Sequence, residues 1–382
     1  MPRTLSHSAL QRFALGAPLF LAPLLTAGCS QDSPSPENDA WPVRVPRATP
    51  VPSRNITSLA FSSDGHTLAV GNDGGAISLW NIQDGTLIWH KVLQNRIATR
   101  VAFSPDGSLL ASACGPSLSL WSLPSHRLLK AYDAPLPLVT SLAFSPDNQR
   151  LAIASGQNDI YRSNVKSGSL ILWNLKTDQK TALLSYNGTQ TTYVGSVAFS
   201  PDGKSLAATC NQNRTISSSV STIESFTRLW NMPDAKRLWQ GFGYYMADVA
   251  FSPDGKFVVS GGMNPLVLDA QTGKLTRAMD RIYGSSMRLA VSADGKVVAG
   301  AGMGNSISFW DTTTGHSIEP ASPLTSTRAT SLAFSRNGKY LVASDGSRKV
   351  TIWDSSQLST RPNLPPTQPP PPLNLLRTID TF

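Results

Sequence analysis

One short motif occurs seven times along the chain. The stretch Ser58–Val70, SLAFSSDGHTLAV, recurs with variations at 100–112, 141–153, 196–208, 248–260, 288–300 and 331–343. Phe61, Phe103, Phe144, Phe199, Phe251, Val291 and Phe334 hold equivalent places, 40 to 55 residues apart. A second anchor follows each of them: Trp80, Trp121, Trp173, Trp230, Leu268, Trp310 and Trp353. A period of this size marks an array of identical supersecondary units. Each unit lacks a core of its own and must bury its faces against its neighbours.

Within a unit, apolar–polar alternation up to the Phe predicts a strand. Ser-Pro-Asp-Gly then predicts a tight turn, because Pro presets φ, Asp caps, and Gly supplies a positive φ. A second apolar run, a polar link and the Trp-bearing run predict strands two and three. A further turn, such as NIQDGT (81–86), leads to a looser fourth strand such as LIWHKV (87–92). Four-stranded sheets with two apolar faces are satisfied by stacking around an axis, and closing the ring removes most exposed edges. Only 15% of the residues are charged, and Gly and Pro number 28 each, as suits β-structure with tight connections.

On these residues the chain resembles the WD40 repeat family. The resemblance covers 56–354 and implies an all-β, seven-bladed propeller of four-stranded antiparallel blades. The chain departs from the family pattern in several places. The acid after the third-strand anchor is present only as Asp269, Asp311 and Asp354, and the Gly-His pair before the first strand is absent. The family's buried polar network is therefore expected to be mostly missing, with apolar packing in its place. The resemblance also implies that the N-terminus supplies the last blade's outer strand. WPVRVP (41–46) is the favoured segment, and LNLLRTIDTF (373–382) is the alternative.

Residues 1–28 read as an export leader: Arg3 and Arg12, no acid, then an apolar run from Phe13 to Ala27. That run is short for a membrane span. It ends in LLTAGC, which resembles a bacterial lipoprotein signal, with Cys29 as the acylated residue. The expectation is an exported protein anchored to a membrane through acylated Cys29. In a two-membrane cell that would be the periplasmic side of the outer membrane. Residues 29–55 read as a polar, Pro-rich tether, and 355–382 as a Pro-rich tail that serves as ligand or spacer. The net charge is +9, two units of which lie in the leader. Export makes a nucleic-acid partner not expected. Cys114 and Cys210 stand at matching places two repeats apart, too far for a bridge, and read as small buried residues.

No pattern signals catalysis, a metal or a cofactor. His66, His126 and His316 fall in turns of different repeats, and no nucleophile elbow or phosphate loop is present. The repeated PDG acids read as turn caps. The chain is not expected to be an enzyme.

Binding is the better-supported function, since repeat scaffolds present surfaces built from loops. From the second-strand apolar residue to the third-strand anchor the distance is 10 to 12 residues in five repeats. It is 22 in the third repeat and 24 in the fourth. The two insertions, 155–169 and 211–227, occupy the same connection in neighbouring blades, so they share one rim. Tyr161 and Arg162 lie in the first and Arg214 in the second. Tyr193, Tyr244, Tyr245 and Tyr283 lie in segments leading to the same rim, and exposed Tyr is a frequent interface anchor. The residue three before each Phe anchor should face the axis near that rim. Arg100 and Arg288 then form a positive mouth with Asp248 as partial counter-ion. The expected function is a protein–protein interaction scaffold with its partner on this rim. The alternative is a propeller that binds a small molecule or cell-wall polymer in its channel, with catalysis a possible part of that reading.

Overall fold

The computed structural model describes residues 55–93, 99–133, 138–156, 168–185, 192–217, 220–232, 234–243, 247–262, 264–280, 286–302, 306–323, 329–344, 346–356, 358 and 373–381. They form seven four-stranded antiparallel sheets in sequence order, with no α-helix among them. Blade 1 runs through Ile56–Phe61, Thr67–Asn72, Ala76–Asn81 and Leu87–Val92. The other six repeat that plan.

The anchors set the register. Phe61 pairs with Leu68, and Leu68 pairs with Trp80. Phe103–Leu110–Trp121 and Phe334–Leu341–Trp353 make the same row in their blades. The fifth blade keeps the row as Phe251–Val258–Leu268. One alternating side chain per strand thus crosses each blade at the same height.

Seven apolar clusters hold the ring, each built from two neighbouring blades. Trp121 joins Ile77 and Leu79 of blade 1, and Trp310 joins Val259 and Val267 of blade 5. The third-strand indoles reach back into the preceding blade and are buried, with Trp310 at 0% exposure and Trp173 at 1%.

The Ser-x-Asp turns are wired alike in every blade. In six of them Ser Oγ donates to the acid or amide two residues on at 2.6–2.7 Å, and Ser145 makes the same bond to Asp147. The same hydroxyl accepts the backbone N–H five residues on, at 2.8–3.1 Å. The turn's fourth residue has positive φ in all seven. It is Gly in six, such as Gly107 at 71°, and Asn148 at 58° in blade 3. Asn is the side chain that best tolerates that region.

Ring closure differs from the expectation. The fourth strand of blade 7 is Asn374–Asp380, paired with Lys349–Asp354, and not the N-terminal 41–46, which lie outside the described residues. The C-terminal segment offers an unbroken run of donors between buried Leu373 and Ile379. In 41–46, Pro42 and Pro46 leave three consecutive donors between them. Every blade is thus continuous in sequence, and the ring closes through contacts between blades 7 and 1. Ile56, Leu68 and Trp80 pack with Val342, Val350 and Ile379. Ile56 N donates to Ser347 O at 3.1 Å.

Candidate functional site

In each blade the Ser-x-Asp turn joins strands one and two, so the second-to-third hairpins all lie at the opposite rim. Two axial cavities follow from this. Toward the turns, a cavity of about 710 Å³ is lined by all six Phe anchors and Val291. Most of these anchors are only half buried, because the first strands ring an open axis and one edge of each Phe meets it.

Toward the hairpin rim lies a second cavity of about 240 Å³. All seven residues that stand three before an anchor line it: Ser58, Arg100, Ser141, Ser196, Asp248, Arg288 and Ser331. The period-two argument placed them correctly. Both cavities are lined by Val197 and Val249, where they meet.

The wall of this second cavity is a belt of bonds that run from blade to blade. Ser58 Oγ accepts Val101 N–H at 3.2 Å, and Ser141 Oγ accepts Val197 N–H at 3.3 Å. Asp248 Oδ2 accepts Leu289 N–H at 2.9 Å, and Ser331 Oγ accepts Leu59 N–H at 3.0 Å. Threonines one step earlier donate to the next blade: Thr57 to Thr99 O at 2.7 Å, Thr140 to Val194 O at 2.6 Å, Thr330 to Ile56 O at 2.5 Å. The expected loss of polar stiffening is therefore compensated here, where hydroxyls couple neighbouring first strands. Sequence reasoning missed this role. Its signal was the recurring Thr-Ser-Leu-Ala-Phe of blades 1, 3 and 7.

An arginine cannot accept an N–H, so the two arginines break the pattern. Arg100 Nη1 donates to Thr57 O, and Arg288 Nε donates to Thr330 O at 2.9 Å. Arg100 Nε is buried with no hydrogen-bond partner. Burial first, and then the nearby Arg288 charge, pull the Arg100 guanidinium from 12.5 down to about 10, while Tyr193 and Asp248 act the other way. Both Asp248 oxygens take backbone N–H groups, from Val249 and Leu289.

Arg100, Asp248 and Arg288 therefore line one cavity, and Tyr193 lies near enough to act on Arg100, a neighbour that the sequence did not indicate. Tyr193 is held between two glycines. A Cβ on Gly156 would stand 2.9 Å from the Tyr193 ring, and one on Gly195 would stand 3.3 Å from it. Tyr161, Arg162, Tyr244, Tyr245, Tyr283 and Cys29 lie outside the described residues. Arg214 is in a described strand, paired with Thr222.

The second insertion is not an irregular loop. It prolongs strands two and three of blade 4 to Ser205–Ser217 and Val220–Asn231. Up to Gln212 the prolongation is flanked by Thr192 and Tyr193, and Ser225 pairs with Gly243. Beyond that, among the described residues, Asn213–Ser217 and Val220–Ile223 pair only with each other. At about 3.3 Å per residue this two-stranded arm extends about 16 Å past the described part of its flanking strands. Most of the first insertion, 157–167, lies outside the described residues.

The histidines do not converge. His316 Nδ1 meets Asp280 Oδ2 at 3.1 Å, His126 stacks on Trp89 at 5.4 Å between ring centres, and His66 meets Gln83. No group of three His, Cys, Asp or Glu that would suit a metal exists among the described residues. Cys114 and Cys210 are buried thiols outside any disulfide, and burial pushes the Cys210 thiol up to about 12.

The WD domain, G-beta repeat family matches at six stretches: 46–81, 85–122, 126–174, 180–217, 241–267 and 313–354. Together they span more than half of the chain. The unmatched 268–312 contains Val291, where the other six repeats carry Phe, and Ala293, where four of them carry Pro. A search of the curated proteins found no match.

Proposed function

The chain belongs to the WD40 repeat family, and from that premise we propose that it is a protein-interaction scaffold, not an enzyme. Propellers of this family generally mediate protein interactions, and this one offers a specific place for a partner. One observation carries the reading: the arm at 213–223 stands on the rim that carries the mouth of the small cavity. Tyr193 links the two, since it pairs with Asn211 at the arm's base and lies near enough to Arg100 to influence its charge. A two-stranded ribbon is marginally stable in water, and its edges, unpaired among the described residues, accept a further strand. A docked partner supplies both edge pairing and burial.

The proposal places the propeller outside the cytoplasm, held to a membrane by acylated Cys29, with 30–54 as tether. Its support is the leader sequence. A Cys29→Ala variant should lose incorporation of labelled fatty acid and leave the membrane fraction.

Replacing 213–223 by Asn-Gly tests the docking surface, because a two-residue turn keeps the pairs at Asn211 and Gln212. The ring should keep its thermal stability to within a few degrees, while crosslinking to the native partner is lost. Undiminished crosslinking by the shortened form would refute the arm as the docking element.

A further inference from the structure

We infer that the cavity ringed by Arg100 and Arg288 is a binding site for a single oxyanion group, a carboxylate or a phosphate. The donor balance of its wall argues for this. Each guanidinium has five N–H donors in a fixed fork. Arg100 spends one on Thr57 O, Arg288 spends one on Thr330 O, and Arg100 Nε has none to bond. Ser58, Ser141 and Ser331 each accept one backbone N–H on the hydroxyl oxygen. Each keeps its own hydroxyl proton to donate, and it has no acceptor for that proton among the described residues.

The wall is therefore rich in donors and poor in acceptors. Its carboxylate, Asp248, is occupied on both oxygens by Val249 and Leu289 N–H groups. Two cations and one anion line the cavity, which leaves one positive charge uncompensated by described residues. A buried cation without a paired acceptor is costly, and an oxyanion that accepts from both forks relieves that cost. At about 240 Å³ the cavity falls below the roughly 300–1,000 Å³ of drug-sized sites. One anionic group fits that size better than an extended ligand.

Two sources can present this chemistry: a free small anion, or an acidic side chain of a docked protein. The site itself does not depend on the arm at 213–223, so its test is separate. Calorimetric titration of the full-length protein at low salt with inorganic phosphate, and separately with N-acetyl-glutamate amide, gives saturable binding of at least one probe. Arg288→Gln weakens that binding by at least about tenfold, the scale of a lost charged hydrogen bond. Lys91→Gln, which removes an exposed perimeter charge, changes it by less than about twofold. If Arg288→Gln fails to fold by circular dichroism, Arg288→Lys keeps the charge, loses the fork, and still weakens binding several-fold. Tighter phosphate binding identifies a free anion as the source, and tighter glutamate binding identifies a partner side chain. Either supports the site. No saturable binding of either probe, or an equal loss in Lys91→Gln, overturns it.

Discussion

Leu59 and Ser331 stand 272 positions apart in sequence and meet in space, with the Leu59 backbone N–H donating to Ser331 Oγ at 3.0 Å. This bond joins blade 1 to blade 7, and it belongs to the same belt that couples Ser58 to Val101 and Ser141 to Val197. Ring closure here is a matter of contacts between blades and not of a strand borrowed from the other terminus. Asn337 Nδ2 reaches Asp64 O at 3.4 Å across the same junction, and Arg377 Nη2 reaches Gln83 O at 3.1 Å.

Closure therefore depends on the C-terminal strand. Ile379 is 4% exposed and packs into the cluster between blades 7 and 1. Ile379→Ala should cost about 2–5 kcal/mol, by lost transfer energy and the cavity left behind. Deleting 373–382 should also bare the edge of Lys349–Asp354 and make the protein prone to aggregation. Denaturant unfolding and light scattering check the two effects. A wild-type midpoint for both variants would contradict this closure.

The two anchors of each repeat should differ in cost. Trp310 is fully buried between blades 5 and 6, so Trp310→Ala should cost about 3–5 kcal/mol. Phe103 borders the open axial cavity, and Phe103→Ala should cost less than half as much. Equal losses in chemical denaturation would mean that the axis is packed shut.

The turn acids predict the direction of acid sensitivity. The Ser200 hydroxyl is the largest influence that holds Asp202 below its ordinary carboxylate value, and the Ser62 and Ser252 hydroxyls do the same for Asp64 and Asp254. A depressed folded value contributes stability that is present above about 3.8 and is lost as pH falls through the lower folded value. Unfolding free energy should thus decline below about pH 4. Asp202→Asn should flatten that decline at little cost near neutrality, because Asn337 already fills the same role in blade 7. An unchanged slope would separate Asp202 from the acid response.

The buried thiols should be silent until the ring opens. Cys210 is fully buried and its thiol is pushed up to about 12, so the reactive thiolate is scarce. Cys114 is equally enclosed, at 1% exposure. A thiol reagent should modify neither in the native protein and both in denaturant. Rapid native labelling of Cys210 would show that blade 4 opens locally.

The repeat made most of this fold legible. Phe61 and its equivalents gave the blade count, and the Ser-x-Asp turns were readable because local hydrogen bonds fix them. The position of Ser58, Arg100 and Asp248 around one cavity followed from strand alternation alone. The sequence was less informative where structure depends on distant pairing. WPVRVP and LNLLRTIDTF are both plausible edge strands, and only contact with Val350 and Ile352 distinguishes them. The insertion at 211–227 is polar and lacks clean alternation, so its continuation as paired strands was hidden. The half-buried state of the Phe anchors depends on ring diameter, which no single repeat encodes.

The most direct test of the account is site-specific photocrosslinking of the full-length protein in its native membrane. Probes at Arg214 and Thr222 in the arm report on the hairpin rim, and probes at Asp84 and Thr272 report on the turn rim. The account predicts one partner captured from Arg214 and Thr222 and none from Asp84 or Thr272. Capture of that partner from the turn rim, with the hairpin rim silent, would contradict it.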